Sequence, residues 1–342
     1  MIISTNGSLN LSRYDIVENS STLLCSADEL NEKLFKLRNI PIPEGSTRIG
    51  GFGWEMIDEE SKTLHKVINN YILIRFRHED KKIPAKSVKE KLRQQIKDTN
   101  LKLKTKEIAS LKEAIINQMI PTIPVDIKFI DIIIDRKLNE FTVLSNSKNM
   151  VSVIENLLTE TFHKIRFKPK YSYNDEQANL LSSFNNFITW LIYKIEIKEH
   201  PSINKNFSIY INKKITLAHK STNCRIINAD APQRTVEALN SLANGSKVSE
   251  ASFHLELNNE KIYNIFSFSL NENSISAVKL KLPKVSYLIE SNESFTIIKL
   301  DSLRVINEII NDMYNKYLSE IENNENIFIE IKNWFKEIKG DF

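Results

Sequence analysis

Residues 81–122 read KKIPAKSVKEKLRQQIKDTNLKLKTKEIASLKEAIINQMIPT, and this stretch interrupts a run of strands. Val88, Leu92 and Ile96 recur at i, i+4 and i+8, a narrow apolar stripe on one helix. Thr105 is the expected N-cap of a second helix with Ile108, Leu111, Ile115 and Met119 facing inward, and Pro121 stops it. Two helices joined by a short segment make an αα-hairpin, able to project from the body as a finger.

On either side the period changes to that of strands. Tyr71-Ile-Leu-Ile-Arg-Phe76 predicts a buried strand. Ile127 to Ile134, a turn over 135–139 and Glu140 to Leu144 predict a β-hairpin, followed by a helix with Val151, Ile154, Leu158 and Phe162 on one face. Upstream, Ser8 to Val17 carries a weak strand pattern. Ser26-Ala-Asp-Glu29 has capping-box spacing before a helix with Leu30, Leu34 and Leu37 on one face. Residues 41–58 read as a loop holding Gly45, Gly50, Gly51 and Gly53.

Residues 176–342 predict a second lobe. Asp230-Ala-Pro232 opens a helix with Val236, Leu239 and Leu242 inside and Gly245 at C′. Phe253 to Leu282 alternates with period two as a meander. Asp301 to Leu318 is strongly helical, and a short helix with Ile327, Ile331, Trp334, Phe335 and Ile338 follows.

The chain has 342 residues, 41% of them hydrophobic and 26% charged, enough to bury a core. Cys25 and Cys224 are too few and too far apart for a disulfide framework or a cysteine-based zinc site. The first residues lack the apolar core of a signal peptide, and no run approaches the roughly 18 apolar residues of a membrane span. A reducing, cytoplasmic compartment is the expectation.

Catalytic motifs fare poorly. Gly45 and Gly50 have P-loop spacing, but position 51 is Gly51 where the motif needs Lys, and the dinucleotide fingerprint breaks at Met56. The six histidines form no His-x-x-x-His pair. An acid and a lysine two apart on a strand, as in many metal-dependent nucleases, occur at Asp126/Lys128, Glu196/Lys198, Glu330/Lys332 and Glu337/Lys339. Four such pairs in a chain rich in Glu, Ile and Lys make the spacing unspecific, so no catalytic residue, metal ligand or cofactor is assigned.

Charge distribution says more. From Lys81 to Lys112 there are 11 basic residues against Glu90, Asp98 and Glu107, an excess of eight in a chain whose net charge is +4. A hairpin so charged is a candidate phosphate-contacting arm, with Lys86, Lys89, Arg93, Lys97, Lys102 and Lys104 as contacts. Lys164, Arg166, Lys168 and Lys170 alternate, so an extended segment aligns them at about 6.5–7 Å with Ile165 and Phe167 opposite. These four are the second candidate DNA-facing set. Ile115, Ile116, Met119 and Ile120 exceed what a thin hairpin buries on itself, so some should pack against a partner's finger or the body, and they are the candidate homodimer interface.

The ordered run of Tyr71-Ile-Leu-Ile-Arg, Lys82 to Leu92 and Lys104 to Pro121 resembles the recombination-associated RdgC family. Gly53-Trp54 resembles the Gly-Trp of that family's early loop, and Phe187-Ile-Thr-Trp190, Phe253 to Leu282 and Phe295 to Tyr317 are similar to its later parts. The resemblance implies an α+β fold with mixed or antiparallel sheets in a centre (1–80 and 123–175) and a base (176–342, with an extra C-terminal helix), and a projecting finger (81–122). It also implies a ring-shaped homodimer around double-stranded DNA, binding with little sequence preference, nucleoid-associated, and acting on RecA recombinase. A metal-dependent DNA exonuclease is the alternative, since an older label of the family is exonuclease.

Overall fold

The computed structural model describes residues 9–18, 26–57, 62–99, 104–163, 165–170, 184–204, 206–219, 222–257, 265–271, 274–280, 292–324 and 326–340. Its described residues form an α+β fold of antiparallel sheets with eight α-helices. The chain divides into two units. One comprises Glu18–Lys137 and Ser152–Arg166; the other comprises Met1–Val17, Leu138–Val151 and Phe167–Phe342.

The first unit is built on β4 (Tyr71–Asp80), whose uninterrupted apolar start suits a strand buried on both faces. β5 (Asp126–Asp135) pairs along the whole of it, from Tyr71↔Asp135 to Asp80↔Asp126. On the other edge of β4 lie β2 (Gly50–Glu55) and the short β3 (His65–Ile68). Residues 50–53 were expected in a loop. They form a strand because the segment after α1 (Ala27–Lys36) comes against them: Asn39 N–H donates to Trp54 O at 2.8 Å and Trp54 N–H to Leu37 O at 3.0 Å. A Cβ at Gly53 would sit 2.5 Å from Asn39 N, so only glycine allows this approach.

Ser26 caps α1 as its spacing predicts, its hydroxyl accepting from Glu29 N–H at 3.2 Å. The alternate face of the sheet carries Ile72, Ile74, Phe76, Ile132 and Trp54, all buried. The Trp54 indole N–H donates to the Thr161 hydroxyl at 2.8 Å, tying β2 to α4 (Lys148–Phe162). All four residues expected on the inner face of α4 are buried.

His65 lies in this core, 6% exposed. Burial holds its imidazole below the ordinary 6.5, and Asp28 only partly offsets that. The unfolded chain therefore takes up a proton, on falling below about pH 6.5, that the folded chain resists. Stability is present above that pH and declines as pH drops to 5. Urea midpoints at pH 7.5 and pH 5 should show this decline, and His65→Gln should reduce it; an equal decline in the variant would assign it to other groups.

The second unit is a sheet in the order β6 (Glu140–Val143), β1 (Leu9–Glu18), β12 (Ser274–Leu280), β11 (Ile265–Asn271), β10 (Lys247–Leu257), β8 (Phe207–His219), β9 (Thr222–Ile227), with β7 (Arg166–Pro169) also pairing β1. The expected meander is β10–β11–β12, in register from Glu250↔Asn271 to Glu256↔Ile265. α5 (Phe184–Glu196) packs on β8, β10 and β11, buried nearly all round, with Phe187, Trp190 and Leu191 fully enclosed. α7 (Asn292–Asn323) and α8 (Ile327–Gly340) pack on α5.

α6 (Val236–Ala243) starts at Thr235, after a short 3-10 turn that holds Pro232. Val236, expected inside, is 65% exposed because it is the first residue of the helix and points off its inner stripe. The C-terminus is a Schellman motif: Gly245 N–H donates to Leu242 O and Ser246 N–H to Ser241 O, with Gly245 at φ +87°.

Candidate nucleic-acid interface

α2 (Ala85–Thr99) and α3 (Thr105–Met119) occupy residues 81–122. They close on each other through Val88, Ile115 and Met119, with Ile83, Leu92, Leu111, Ile116 and Ile123 packed around them. The N-cap of α3 is Lys104, one residue before the expected Thr105; its backbone N–H donates to Glu107 Oε2 at 2.6 Å. At the other end Ile120–Thr122 tighten into a 3-10 turn.

Two of the eleven basic residues serve the fold. Lys81 is 2% exposed and donates to Ser46 O at 2.6 Å and Ile120 O at 2.9 Å. A cation at the carbonyl end of α3 is favoured by the helix dipole. Lys82 pairs with Asp126.

The others that are described, Lys86, Lys89, Lys91, Arg93, Lys97, Lys104, Lys106 and Lys112, are exposed. At 100° per residue, Lys86, Lys89, Arg93 and Lys97 fall within a sector of about 80° beside the Val88–Leu92 seam. Glu90 and Asp98 project outside that sector. Lys102 lies outside the described residues. Lys91, Lys106 and Lys112 were counted in the charge excess but not singled out, because charge alone does not tell which lysines end up outward.

The alternating strip behaves differently along its length. Lys164 lies outside the described residues. Ile165 is buried and Phe167 meets the Phe141 ring edge-on at 4.5 Å, so the inward half of the alternation is present. Arg166 is exposed and Lys168 half-buried. Lys170 turns inward: its ammonium lies 2.5 Å from Asp15 Oδ1 and 2.5 Å from Glu140 Oε1. Glu140 also holds Arg13 at 2.6 Å. Two buried or half-buried acids thus require two cations, and Lys170 is the second of them rather than a phosphate contact.

The apolar residues assigned to a homodimer interface need correction as well. Ile115, Met119 and Ile120 are 2%, 8% and 4% exposed within a single chain. The seam with Val88 and its neighbours encloses Ile115 and Met119, Ile120 is buried in the 3-10 turn that follows α3, and Ile116 is half-buried.

Of the four acid–lysine pairs, only Asp126 and Lys128 lie on a strand. Across from them on β4 are Asp80 and His78. The Asp126 carboxyl is held below the usual carboxylate range by its hydrogen bond and charge pairing with Lys82, helped by Lys128 and His78. Glu196 ends α5 and is bonded to Gln233 at 2.6 Å and Arg234 at 2.8 Å. Glu330 and Glu337 are in α8, where residues two apart do not face each other. Among the described residues no three His, Cys, Asp or Glu side chains are grouped to hold a metal ion.

A protein-family model with the description "RdgC: Putative exonuclease, RdgC" matches residues 9–184, from β1 through the helical pair to the first residue of α5. The chain belongs to the RdgC family. No curated protein matches it. As a member of the RdgC family it is a recombination-associated protein, and the match takes in both candidate basic sets.

Proposed function

We propose that this RdgC-family chain is a sequence-independent double-stranded DNA-binding protein. In this reading it works as a ring-shaped homodimer around the duplex, associated with the nucleoid, and modulates RecA-dependent recombination. The observation that carries the DNA reading is the exposed face of α2, where Lys86, Lys89, Arg93 and Lys97 share one sector that neither Glu90 nor Asp98 enters. Such a face neutralises phosphates and releases counterions without reading base edges. Lys104, Lys106 and Lys112 on α3 and Arg166 and Lys168 on the strip are further contacts in this proposal. The ring, the homodimer and the action on RecA rest on family membership. With Ile115, Met119 and Ile120 enclosed, closure of the dimer falls to other surfaces.

The protein acts in this proposal by occupying DNA, with no bond made or broken. Fluorescence anisotropy against duplexes of equal length and scrambled sequence should give equal affinities that fall steeply with salt. A log–log slope equivalent to fewer than about three released ions would sink the electrostatic reading. Incubation of linear duplex with magnesium should leave it intact. Degradation that disappears in Asp126→Ala or Lys128→Ala would favour an exonuclease instead.

A further inference from the structure

The start of β5 reads Val125-Asp-Ile-Lys-Phe129: apolar, acidic, apolar, basic, apolar. β4 takes one edge of it, with Glu79↔Ile127 and Arg77↔Phe129 in register. Among the described residues no backbone hydrogen bond is recorded from the other edge of residues 126–129. Ile127, Lys128 and Phe129 are three consecutive exposed residues there, Ile127 at 43% and Phe129 at 53%. A strand edge left open beside apolar side chains is a template for another strand. The Phe129 ring is exposed yet braced: the Arg75 and Arg77 Cζ atoms each lie 5.7 Å from its centre, and Asp131 and Glu55 hold those guanidiniums.

We propose that this segment pairs antiparallel with the same segment of a second copy of the chain, about a two-fold axis at Ile127. The proposal rests on the homodimer reading above and names a surface for it. In this register Ile127 faces the partner's Ile127, Val125 faces the partner's Phe129, and Asp126 faces the partner's Lys128. The last two pairs each occur twice, by symmetry. Aromatic with β-branched and acid with base are both stabilising pairs across strands. The charges also select the register. Sliding by two residues one way sets Asp126 against the partner's Asp126, and the other way Lys128 against the partner's Lys128. Pro124 has no N–H and ends the ladder. Lys82 pairs with Asp126 within the chain, but both side chains are exposed, so that bond competes weakly. Five residues a side is a small contact. In a ring two subunits meet twice, and each contact raises the local concentration for the other.

Ile127→Cys, in a full chain carrying Cys25→Ser and Cys224→Ser, tests the axis directly. Residues directly opposite across an antiparallel pair have Cα atoms about 4.5–5.5 Å apart, inside the range a disulfide spans. Mild oxidation should convert this variant to a disulfide-linked dimer on a non-reducing gel. Val67→Cys in the same background, exposed on β3 where that strand pairs with β4, should not crosslink. Adding Asp126→Lys or Lys128→Asp to Ile127→Cys sets like charges opposite each other twice and should slow crosslinking about tenfold. Mixing those two variants restores both opposite-charge pairs, so the rate should recover in the mixture, which also shows that both are folded. A chain that sediments as a monomer overturns this proposal and the homodimer reading together. A dimer in which Ile127→Cys crosslinks no faster than Val67→Cys leaves the homodimer standing and overturns the β5 contact. A rate unmoved by either charge variant overturns the register centred on Ile127.

Discussion

Replacing Lys89, Arg93 and Lys97 together by Glu should abolish duplex binding at moderate salt. Each lost cation removes one released counterion, so the magnitude of the log–log salt slope should fall by about 2.7, and three introduced carboxylates add repulsion. The loss expected near 0.1 M salt is at least on the order of a hundredfold. Folding should be spared, because all three side chains are exposed and lie outside the Val88–Ile115–Met119 seam. Circular dichroism and the thermal midpoint of the variant check this. The comparison is Arg166→Glu with Lys168→Glu, on the strip. If the strip pair abolishes binding and the helical triple leaves it intact, the DNA track does not run along α2. If neither matters, the contact lies elsewhere.

Glu140→Ala should be among the most destabilising single changes in the chain. Glu140 is 5% and Arg13 1% exposed. The carboxylate holds Arg13 at 2.6 Å and Lys170 at 2.5 Å, and Arg13 also donates to Asn311 Oδ1 on α7 at 3.0 Å. Removing it takes the carboxylate away from a buried guanidinium and leaves Lys170 with Asp15 as its acid among the described residues. Breaking a buried ion pair from one side costs about 3–5 kcal/mol. Replacing both members by apolar residues costs far less, so adding Arg13→Met to a Glu140→Leu background should recover much of the loss. Urea unfolding of the two single variants and the double closes the cycle. A Glu140→Ala loss below about 1 kcal/mol would mean that the network is hydrated and contributes little.

The two expectations draw on opposite kinds of information. The basic face of α2 was legible in the sequence. Val88 and Leu92 define the inner stripe, and the helical period then fixes where Lys89, Arg93 and Lys97 must project. The same local logic located α1 with its Ser26 cap, α4 with its buried face, the β10–β11–β12 alternation and Gly245 at the end of α6. In each case the signal lies within one element and is set by backbone geometry, which neighbouring residues report.

Other features had no local signature. α5 is enclosed on nearly every side, so its own pattern does not tell how deeply it is buried, and Asn185, Asn186 and Thr189 interrupt its apolar run. Gly50 to Gly53 read as a loop because glycine weakens a strand, yet the approach of residues 37–39 makes glycine the residue that fits there. By sequence Lys81 belongs to the charge excess of the hairpin and Lys170 to the candidate DNA-facing strip. Their partners, Ser46 O and Ile120 O for one and Asp15 and Glu140 for the other, lie between 30 and 155 residues away in the chain. Ile115 and Met119 read as surplus when the hairpin is counted alone, without Ile83 and Ile123 at its root. Period and capping thus determined α1, α2, α3, α4 and the β10–β11–β12 meander, and left β2 and α5 to the tertiary structure. Only the tertiary structure decided which charges remain exposed, because a cation's availability depends on the carboxylates and carbonyls folded against it.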